Sequence, residues 1–307
     1  MPFSLSKGLL LCHNIGVMYF DPKTNRYPYP EDTASHYLVV KKNKGIVFDE
    51  NYPYIDKSKS FRFVRFWIRL LLFWIVFPLD WLRLGLKVKG KKNLKFYKDV
   101  IKEGVISVTN HIHMWDYITL MRTVWPIKPY LLSWAPNING ENGFLIRMTG
   151  GIPIPENNLR GTMSYFKAVE QLLTKDKGWL QIYAEGSMWE YYAPIRPFKR
   201  GSAFFAVQFD KPIIPIAYSY RKPTWWRTLL FKQPARVTVN VGEPIFPNKK
   251  LGSRAAIEED LSKRVHARIC ELAGINPKDN VYPPIYDNSK RIDYYTTEYG
   301  VGYKGSF

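Results

Sequence analysis

Cysteine, long apolar runs and a recognisable leader are all scarce or missing in this chain of 307 residues. The two cysteines, Cys12 and Cys270, are far apart, which excludes a disulfide framework and favours a reducing compartment. In the most apolar region, the uncharged run Leu70–Leu79 has ten residues, about half of what a membrane-spanning helix needs. Because Lys7 and the short apolar run after it make a poor signal peptide, we expect the protein on the cytoplasmic side.

Acidic residues are also few, with 26 Asp and Glu against 45 Lys and Arg, and the net charge is +19. Such a surplus attracts polyanions, either nucleic acid or an anionic membrane face. The chain also has 10 Trp and 21 Tyr, rings that suit a lipid headgroup layer or can stack on bases. Since neither zinc-ligand spacing nor an RNA-binding aromatic motif accompanies them, we expect a membrane surface with anionic lipids and no nucleic acid.

Changes in composition divide the chain into four parts. Residues 1–60 form an N-terminal extension, in which residues 36–54 predict a β-hairpin. Residues 61–90 are the most apolar part, residues 91–275 alternate strand and helix patterns, and residues 276–307 form a tail rich in Tyr and Pro. We expect the third part to be the catalytic domain.

The apolar part, residues 61–90, predicts an amphipathic helix or helix pair that lies in the membrane interface and bends near Pro78. Arg62, Arg65 and Arg69 recur at helical spacing and predict a basic stripe that faces lipid headgroups. A core helix with solvated arginines is the alternative. The segment also carries aromatic bulk at Trp67, Phe73, Trp74, Phe77 and Trp81.

From residue 105 the pattern predicts the α/β class, with a mixed, mostly parallel sheet flanked by helices. Helices are predicted to begin at Thr162 and Ser253, two residues that can cap them, and the second is predicted to end at Gly274. Strands and further helices are predicted at Val105–Thr109, Met114–Trp125, Trp179–Tyr183, Ser202–Phe209, Ile213–Tyr218 and Arg236–Val241.

Candidate catalytic residues crowd the turn between the first predicted strand of this domain and its helix. Asp116 follows His111 by five positions, so its carboxylate can accept the proton of one ring nitrogen and leave the other free as a base. His113 is a competing base. No Gly-x-Ser-x-Gly elbow supplies a nucleophile, which indicates that the hydroxyl of a substrate attacks directly. With no cysteine or third histidine nearby, a metal site is not expected.

The chain resembles the glycerolipid acyltransferase family, typified by lysophosphatidate (1-acylglycerol-3-phosphate) acyltransferase. The first matching block carries the His-x-x-x-x-Asp signature, and the other blocks follow in the order of the family. The matching segments are Asn110–Asp116, Gly150–Ile154, Tyr183–Ser187, Pro197–Gly201, Pro212–Ile216 and Val241–Ile245.

The resemblance implies transfer of an acyl group from acyl-CoA or an acyl carrier protein to the hydroxyl of a lysolipid, without a cofactor. It implies that His111 is the general base and Asp116 its orienting partner, while Glu185 and Gly186 shape the acceptor site. The full set of expected substrate-binding residues is Asn110, Gly151, Arg160, Glu185, Gly186, Ser187, Lys199, Arg200 and Pro215.

Two positions depart from the family pattern. Glu156 and Met188 stand where the family commonly has arginines that are thought to hold the phosphate of the acceptor. Arg160, Lys199 and Arg200 are expected to replace them, with Arg147 as a further possibility. Two alternatives remain open: a lysolipid acceptor other than lysophosphatidate, and a lipid-binding protein without catalytic activity.

Overall fold

A computed structural model describes residues 45–275, apart from 190, 191, 193, 222, 223 and 232–234, together with the backbone of 292–297 and 300–303. The first half of the predicted hairpin, up to residue 44, lies outside the described residues. The prediction of a second strand in this hairpin is wrong, because residues 45–54 form turns and irregular backbone. Phe48 and Tyr54 are buried there against helix Leu159–Thr174, and the hydroxyl of Tyr54 donates to the carbonyl of Phe48.

One long helical stretch, two further long helices (α8 and α11) and several short helices cover the sheet. The first stretch is α1 (Lys59–Leu71), a π-helical turn (Leu72–Val76) and α2 (Phe77–Leu84). The helices that follow are α3 (Lys91–Phe96), α4 (Lys98–Lys102), α5 (Asp116–Val124), α6 (Ala135–Asn139), α7 (Gly143–Thr149), α8 (Leu159–Thr174), α9 (Gly201–Gln208), α10 (Trp225–Phe231), a 3₁₀ turn (Lys249–Leu251) and α11 (Arg254–Ala273).

The strands form one mixed, mostly parallel sheet, as the alternating pattern predicted, and their order is β1-β7-β6-β2-β5-β3-β4. All neighbouring pairs on this path are parallel except β6 and β7, which are antiparallel. A short antiparallel pair, β8 and β9, continues from β6. The strands are β1 (Lys87–Lys89), β2 (Val105–Thr109), β3 (Tyr130–Trp134), β4 (Gly151–Ile154), β5 (Trp179–Tyr183), β6 (Ile213–Arg221), β7 (Arg236–Val241), β8 (Ile292–Thr297) and β9 (Gly300–Tyr303).

Alternation along the strands divides the core between the two faces of the sheet. Val105 packs with α2 and α5 on one face, whereas its neighbours Ile106 and Val108 pack with α8, α9 and α11 on the other. The central strand β2 is buried along its whole length between β5 and β6. Its carboxyl end therefore lies in the middle of the sheet, where ligands of α/β proteins usually bind.

Capping residues explain the starts of the two longest helices, α8 and α11. Ser253 accepts from the amide of Ala256 and caps α11, which ends at Gly274 in the left-handed conformation, as predicted. The cap predicted at Thr162 is wrong, because Asn158 accepts from the amide of Gly161 and starts α8 one turn earlier. Thr162 instead donates its hydroxyl to the carbonyl of Asn158.

The stripe of arginines on α1 faces the protein, which corrects the predicted orientation. Arg65 and Arg69 are buried, and their guanidinium groups lie over the rings of Tyr130 and Trp125. Arg62 alone of the three is exposed. The spacing predicts which residues share a face of the helix. That face is buried because its guanidinium groups pack on aromatic rings of the domain.

The opposite face of this helical stretch is apolar and exposed. No described helix is both long enough and apolar enough to cross a bilayer. The π-helical turn, which lies just before Pro78, shifts the helical phase between α1 and α2. The large apolar side chains exposed on this surface are Phe63, Val64, Phe66, Trp67, Leu70, Leu71, Phe73, Trp74, Ile75, Leu79, Trp81 and Leu82, and we call them the apolar face.

Candidate active site

The candidate site lies in the turn that joins the carboxyl end of β2 to α5. Asn110 fixes the start of this turn, because its amide group donates to the carbonyl of Tyr218 and accepts from the amide N–H of the same residue. The hydroxyl of Tyr218 donates to the carbonyl of Asp116 and fixes the start of α5. Asn110 is buried, and its side chain forms both hydrogen bonds with the backbone of β6. It therefore positions the turn and does not contact substrate as expected.

His111 and Asp116 meet across this turn. Nδ1 of His111 lies 2.9 Å from Oδ2 of Asp116, the contact that the spacing predicted. The amide groups of Ile112 and His113 donate to the same carboxylate oxygen, at 2.7 and 3.0 Å. The three donors fix the carboxylate and make Nδ1 the protonated nitrogen. Nε2 is then the basic nitrogen, and it has no hydrogen-bond partner within the described part of the chain.

Burial sets the protonation of this pair. The side chain of His111 is 23% exposed, and desolvation lowers the pKa of its imidazole to about 3. Burial raises the pKa of Asp116, and the amide groups of His113 and Ile112 oppose that rise by donating to the carboxylate. A neutral imidazole at neutral pH is the form that a general base requires.

The ring of His111 is held from one side by Tyr183. The two rings stack with their centres 3.8 Å apart and their planes 14° apart. Tyr183 is the last residue of β5, which pairs with β2 in parallel, so the two strands deliver both rings to the same edge of the sheet. The stack restricts rotation of the imidazole and leaves its edge open.

Glu185 holds the backbone of the same turn. Its Oε2 accepts from the amide of His111 at 3.1 Å, and its Oε1 accepts from the amide of Arg196 at 2.8 Å. The side chain is 3% exposed, and its carboxylate is hydrogen-bonded within the protein. Glu185 therefore supports the backbone of the histidine turn from within the protein.

Arg196 completes this arrangement. Its Nη2 lies 3.0 Å from Oε2 of Glu185, its Nη1 donates to Oγ of Ser187 at 2.7 Å, and its Nη2 also donates to the carbonyl of Ser187. The guanidinium lies over the ring of Trp189, with 4.4 Å to the ring centre. The amide of Trp189 donates in turn to the carbonyl of His111. Arg196 thus ties the loop after β5 to the histidine turn.

His113 is a poor base in this structure. It is 1% exposed, and its Nδ1 accepts from the amide of Trp115 at 3.0 Å. Burial lowers the pKa of His113 to about 3. Because a general base must reach its substrate, the exposed edge of His111 favours His111 over His113.

Lys199 reaches the site across Gly186. Gly186 has φ of +80°, and a Cβ at this position would meet the side chain of Lys199, with Cε at 2.4 Å. The amide of Lys199 donates to the carbonyl of Ala184 at 2.7 Å, which fixes the loop above β5. The ammonium is exposed and forms no ion pair with any described carboxylate. Lys199 therefore brings an available positive charge next to the Glu185 turn.

Four other expected substrate-binding residues are not brought to this place, which corrects those predictions. Arg160 pairs with Glu50 and Arg200 with Glu258, because each lies on a helix start that faces another acidic residue. Gly151 starts β4, three strand positions from β2, and packs against Ile146. Pro215 is buried in β6, where its carbonyl accepts from the amide of Gly242.

The residues at the two departures from the family pattern have structural contacts of their own. Glu156 accepts from the indole N–H of Trp134 at 2.6 Å, and Met188 is buried in the core. Arg147, the further possibility, donates to the carbonyls of Tyr54 and Gly151 and so holds the segment before α1. Neither departure is compensated by Arg147, Arg160 or Arg200.

Sequence reasoning missed Arg196, Tyr183 as a stacking partner and Trp189. Arg196 lies eleven residues after Glu185. No spacing rule relates the two residues, because they meet only when the chain after Glu185 folds back onto it. One signal was available: Tyr183 precedes the Glu185-Gly186 pair at the end of a strand that was predicted correctly. Among the described residues, no group of three His, Cys, Asp or Glu side chains lies close enough to hold a metal.

Parts of the chain are similar to known proteins. Residues 85–219 match the family model described as Acyltransferase. Mouse 1-acyl-sn-glycerol-3-phosphate acyltransferase alpha is 31% identical over 147 residues, which are 46% of this chain and 49% of the mouse protein. The chain thus spans about half the length of this curated relative.

A solved structure is also similar. The 1-acyl-sn-glycerophosphate (LPA) acyltransferase PlsC from Thermotoga maritima is 21% identical, with a TM-score of 0.44, over 70% of this chain and 83% of that one. The matched range of the family model contains His111, Asp116, Glu185 and Arg196, the residues that build the site. Over residues 85–219 the chain is therefore similar to the acyltransferase family.

Proposed function

We propose that the protein transfers a fatty acyl group from an acyl thioester to the free hydroxyl of a lysophospholipid, 1-acylglycerol-3-phosphate being the first candidate. The observation that carries this proposal is the pair His111 and Asp116, at 2.9 Å, with Nε2 at the exposed edge of the ring. The family model over residues 85–219 supports the reaction type, and the name of the mouse relative supports the acceptor.

In the proposed reaction the hydroxyl of the acceptor attacks the thioester carbonyl while Nε2 of His111 takes its proton. Asp116 stabilises the imidazolium that forms. The tetrahedral intermediate then expels the thiolate, which receives the proton from His111 as the new ester is released. The stack on Tyr183 and the hydrogen bond that the amide of His111 donates to Glu185 keep Nε2 in place through both steps.

Lys199 is the group that we propose for the phosphate of the acceptor. It is the expected cation that the structure brings to the Glu185-Gly186 turn, whereas Arg160 and Arg200 are engaged elsewhere. An exposed ammonium without a carboxylate partner can form a charge-assisted hydrogen bond with phosphate. The donor, which we propose is acyl-CoA or an acyl carrier protein, then enters from another side of His111.

We propose that the apolar face docks the protein on the cytoplasmic leaflet of a membrane. The chain exposes Trp67 and Trp74 by 53% and 68%, which is unfavourable in water and favourable among headgroups. Helix α10 extends this surface, because Arg227 donates to the carbonyl of Leu82 while Trp225 and Leu229 are exposed. The net charge of +19 supports an anionic leaflet.

The direct test is to detect the product by mass spectrometry. Purified protein is incubated with acyl-CoA or acyl carrier protein as the donor, and with lysolipids that have and lack a phosphate headgroup. Conversion of a phosphate-bearing lysolipid, with release of free thiol, is expected. Binding of lysolipid without conversion of any acceptor would instead support the non-catalytic alternative.

A further inference from the structure

A basic cleft lies between α3 and the segment that follows α5, apart from the site of His111. It has a volume of about 500 Å³. Its base is apolar, and its rim carries three exposed lysines of α3. We call it the lysine cleft, and its lining residues are Lys91, Lys92, Leu94, Lys95, Val124, Trp125, Pro126 and Ile127.

The α3 wall of the lysine cleft is fixed to the sheet. Nδ2 of Asn93 donates to the carbonyl of Val241, at the end of β7, at 3.0 Å. Gly90, with φ of +71°, packs so closely on the same carbonyl that a Cβ there would lie 2.1 Å from the oxygen. The three lysines are therefore presented from a rigid support and not from a free loop.

The other wall is fixed to the helix that carries the apolar face. Nη2 of Arg69 donates to the carbonyls of Pro126 and Ile127, each at 3.4 Å, and its guanidinium lies over the ring of Trp125. The ring of Trp125 stacks on that of Phe73, with 5.0 Å between centres. Because Phe73 belongs to the apolar face, the lysine cleft opens beside the surface that we propose docks on the membrane.

The charges on the rim are not neutralised by the protein. Lys91, Lys92 and Lys95 form no ion pair with any carboxylate in the described ranges, and no acidic residue lines the cleft. Three positive charges next to an apolar base match an amphiphile that has an anionic head and an apolar body.

We propose that the lysine cleft binds the phosphate headgroup of an anionic phospholipid of the bilayer, with the apolar part of that lipid against Trp125 and Ile127. The position beside the apolar face favours a lipid in the membrane over a free phosphate ester. This inference rests on the membrane docking put forward under Proposed function, and it adds a lipid site that is separate from the catalytic one.

The experiment measures binding to vesicles of phosphatidylcholine with and without phosphatidylglycerol. The triple variant Lys91→Gln/Lys92→Gln/Lys95→Gln is compared with Lys87→Gln/Lys89→Gln/Lys128→Gln. The control removes the same charge from exposed lysines near the cleft that do not line it. The unfolding temperature of each protein is measured beside its binding, and since all six lysines are exposed, it should not change.

Wild type and the control are expected to bind more tightly when phosphatidylglycerol is present. The affinity of the cleft variant for vesicles with phosphatidylglycerol should be at least about tenfold lower than that of wild type, since each lysine at an anionic surface contributes roughly 1 kcal/mol. Equal losses in the two triple variants would overturn the proposal, because the effect would then be general surface charge. Weaker binding of inorganic phosphate to the cleft variant than to wild type, with no difference between the two proteins in vesicle binding, would also overturn it in favour of a free phosphate ligand. A wild type that binds neither vesicle would overturn the docking proposal as well, whatever its transferase activity.

Discussion

Arg196 is paired with the carboxylate of Glu185 in the interior of the protein, where the two side chains are 2% and 3% exposed. The pair holds the amide of His111 on one side and Ser187 on the other. Removing one member of a buried pair leaves an uncompensated charge, which typically costs about 3–5 kcal/mol. We therefore expect Arg196→Met to lower the free energy of unfolding by about that amount, measured by urea denaturation.

A matched control is available on the surface. Arg268 and Glu271 form an ion pair with side chains 40% and 51% exposed, so Arg268→Met should cost less than about 1 kcal/mol. Equal and small losses in both variants would mean that Arg196 does not hold the site together.

Lys199 is expected to affect acceptor binding more than chemistry. Lys199→Met keeps the aliphatic chain over Gly186 but removes the ammonium, so KM for a phosphate-bearing lysolipid should rise about tenfold with little change in kcat. KM for a lysolipid without phosphate should not change. Arg160→Met serves as the control and should leave both constants as they are, since its partner is Glu50. The reverse ranking of the two variants would move the phosphate to Arg160.

The buried His113 predicts how stability depends on pH. Burial lowers the pKa of His113 in the folded state to about 3, while the unfolded chain titrates near 6.5. Between these values the unfolded state binds the extra proton, so the free energy of unfolding falls as pH falls below about 6.5. From pH 7 to pH 5 this loss should be about 2 kcal/mol for His113.

The variant His113→Asn tests this origin, because its side-chain oxygen can still accept from the amide of Trp115. Urea denaturation at the two pH values should show a pH dependence that is smaller than in wild type by that amount. An unchanged pH dependence would show that His113 is protonated to the same extent in both states.

The apolar face predicts which tryptophans matter for membranes. Trp67→Ser/Trp74→Ser should weaken binding to vesicles by at least about tenfold, since both rings are more than half exposed and would insert among headgroups. The unfolding temperature should be little affected. Leu159→Ser/Met163→Ser removes equally exposed side chains from α8, on the other face of the sheet, and should leave binding intact. Losses that do not differ between the two variants would contradict docking through the apolar face.

The elements that were predicted correctly depend on signals close in sequence. The start of α11 at Ser253 and its end at Gly274 follow from capping groups within one turn. The start of α8 was missed because Asn158 and Thr162 are both competent caps, one turn apart, and the chain uses the earlier one. The contact of His111 with Asp116 was predictable for the same reason, since both lie in one turn.

What could not be predicted depends on how distant parts of the chain meet. The spacing of Arg65 and Arg69 places them on one side of α1, but the rings of Tyr130 and Trp125 decide that this side is the buried one. Arg196 meets Glu185 only because the intervening loop returns to the end of β5. Arg160 and Arg200 were plausible phosphate ligands from the sequence. In the structure they form ion pairs with Glu50 and Glu258.

The assignment of His111 as the general base is tested by the rate of acyl transfer by His111→Ala. The imidazole edge at this position is the one base that the turn exposes, and general-base catalysis typically supplies 10²- to 10⁴-fold. The purified variant, with wild-type circular dichroism, should lose at least about a hundredfold in kcat, as measured by mass-spectrometric detection of the product. A folded His111→Ala protein that transfers the acyl group at the wild-type rate would contradict it.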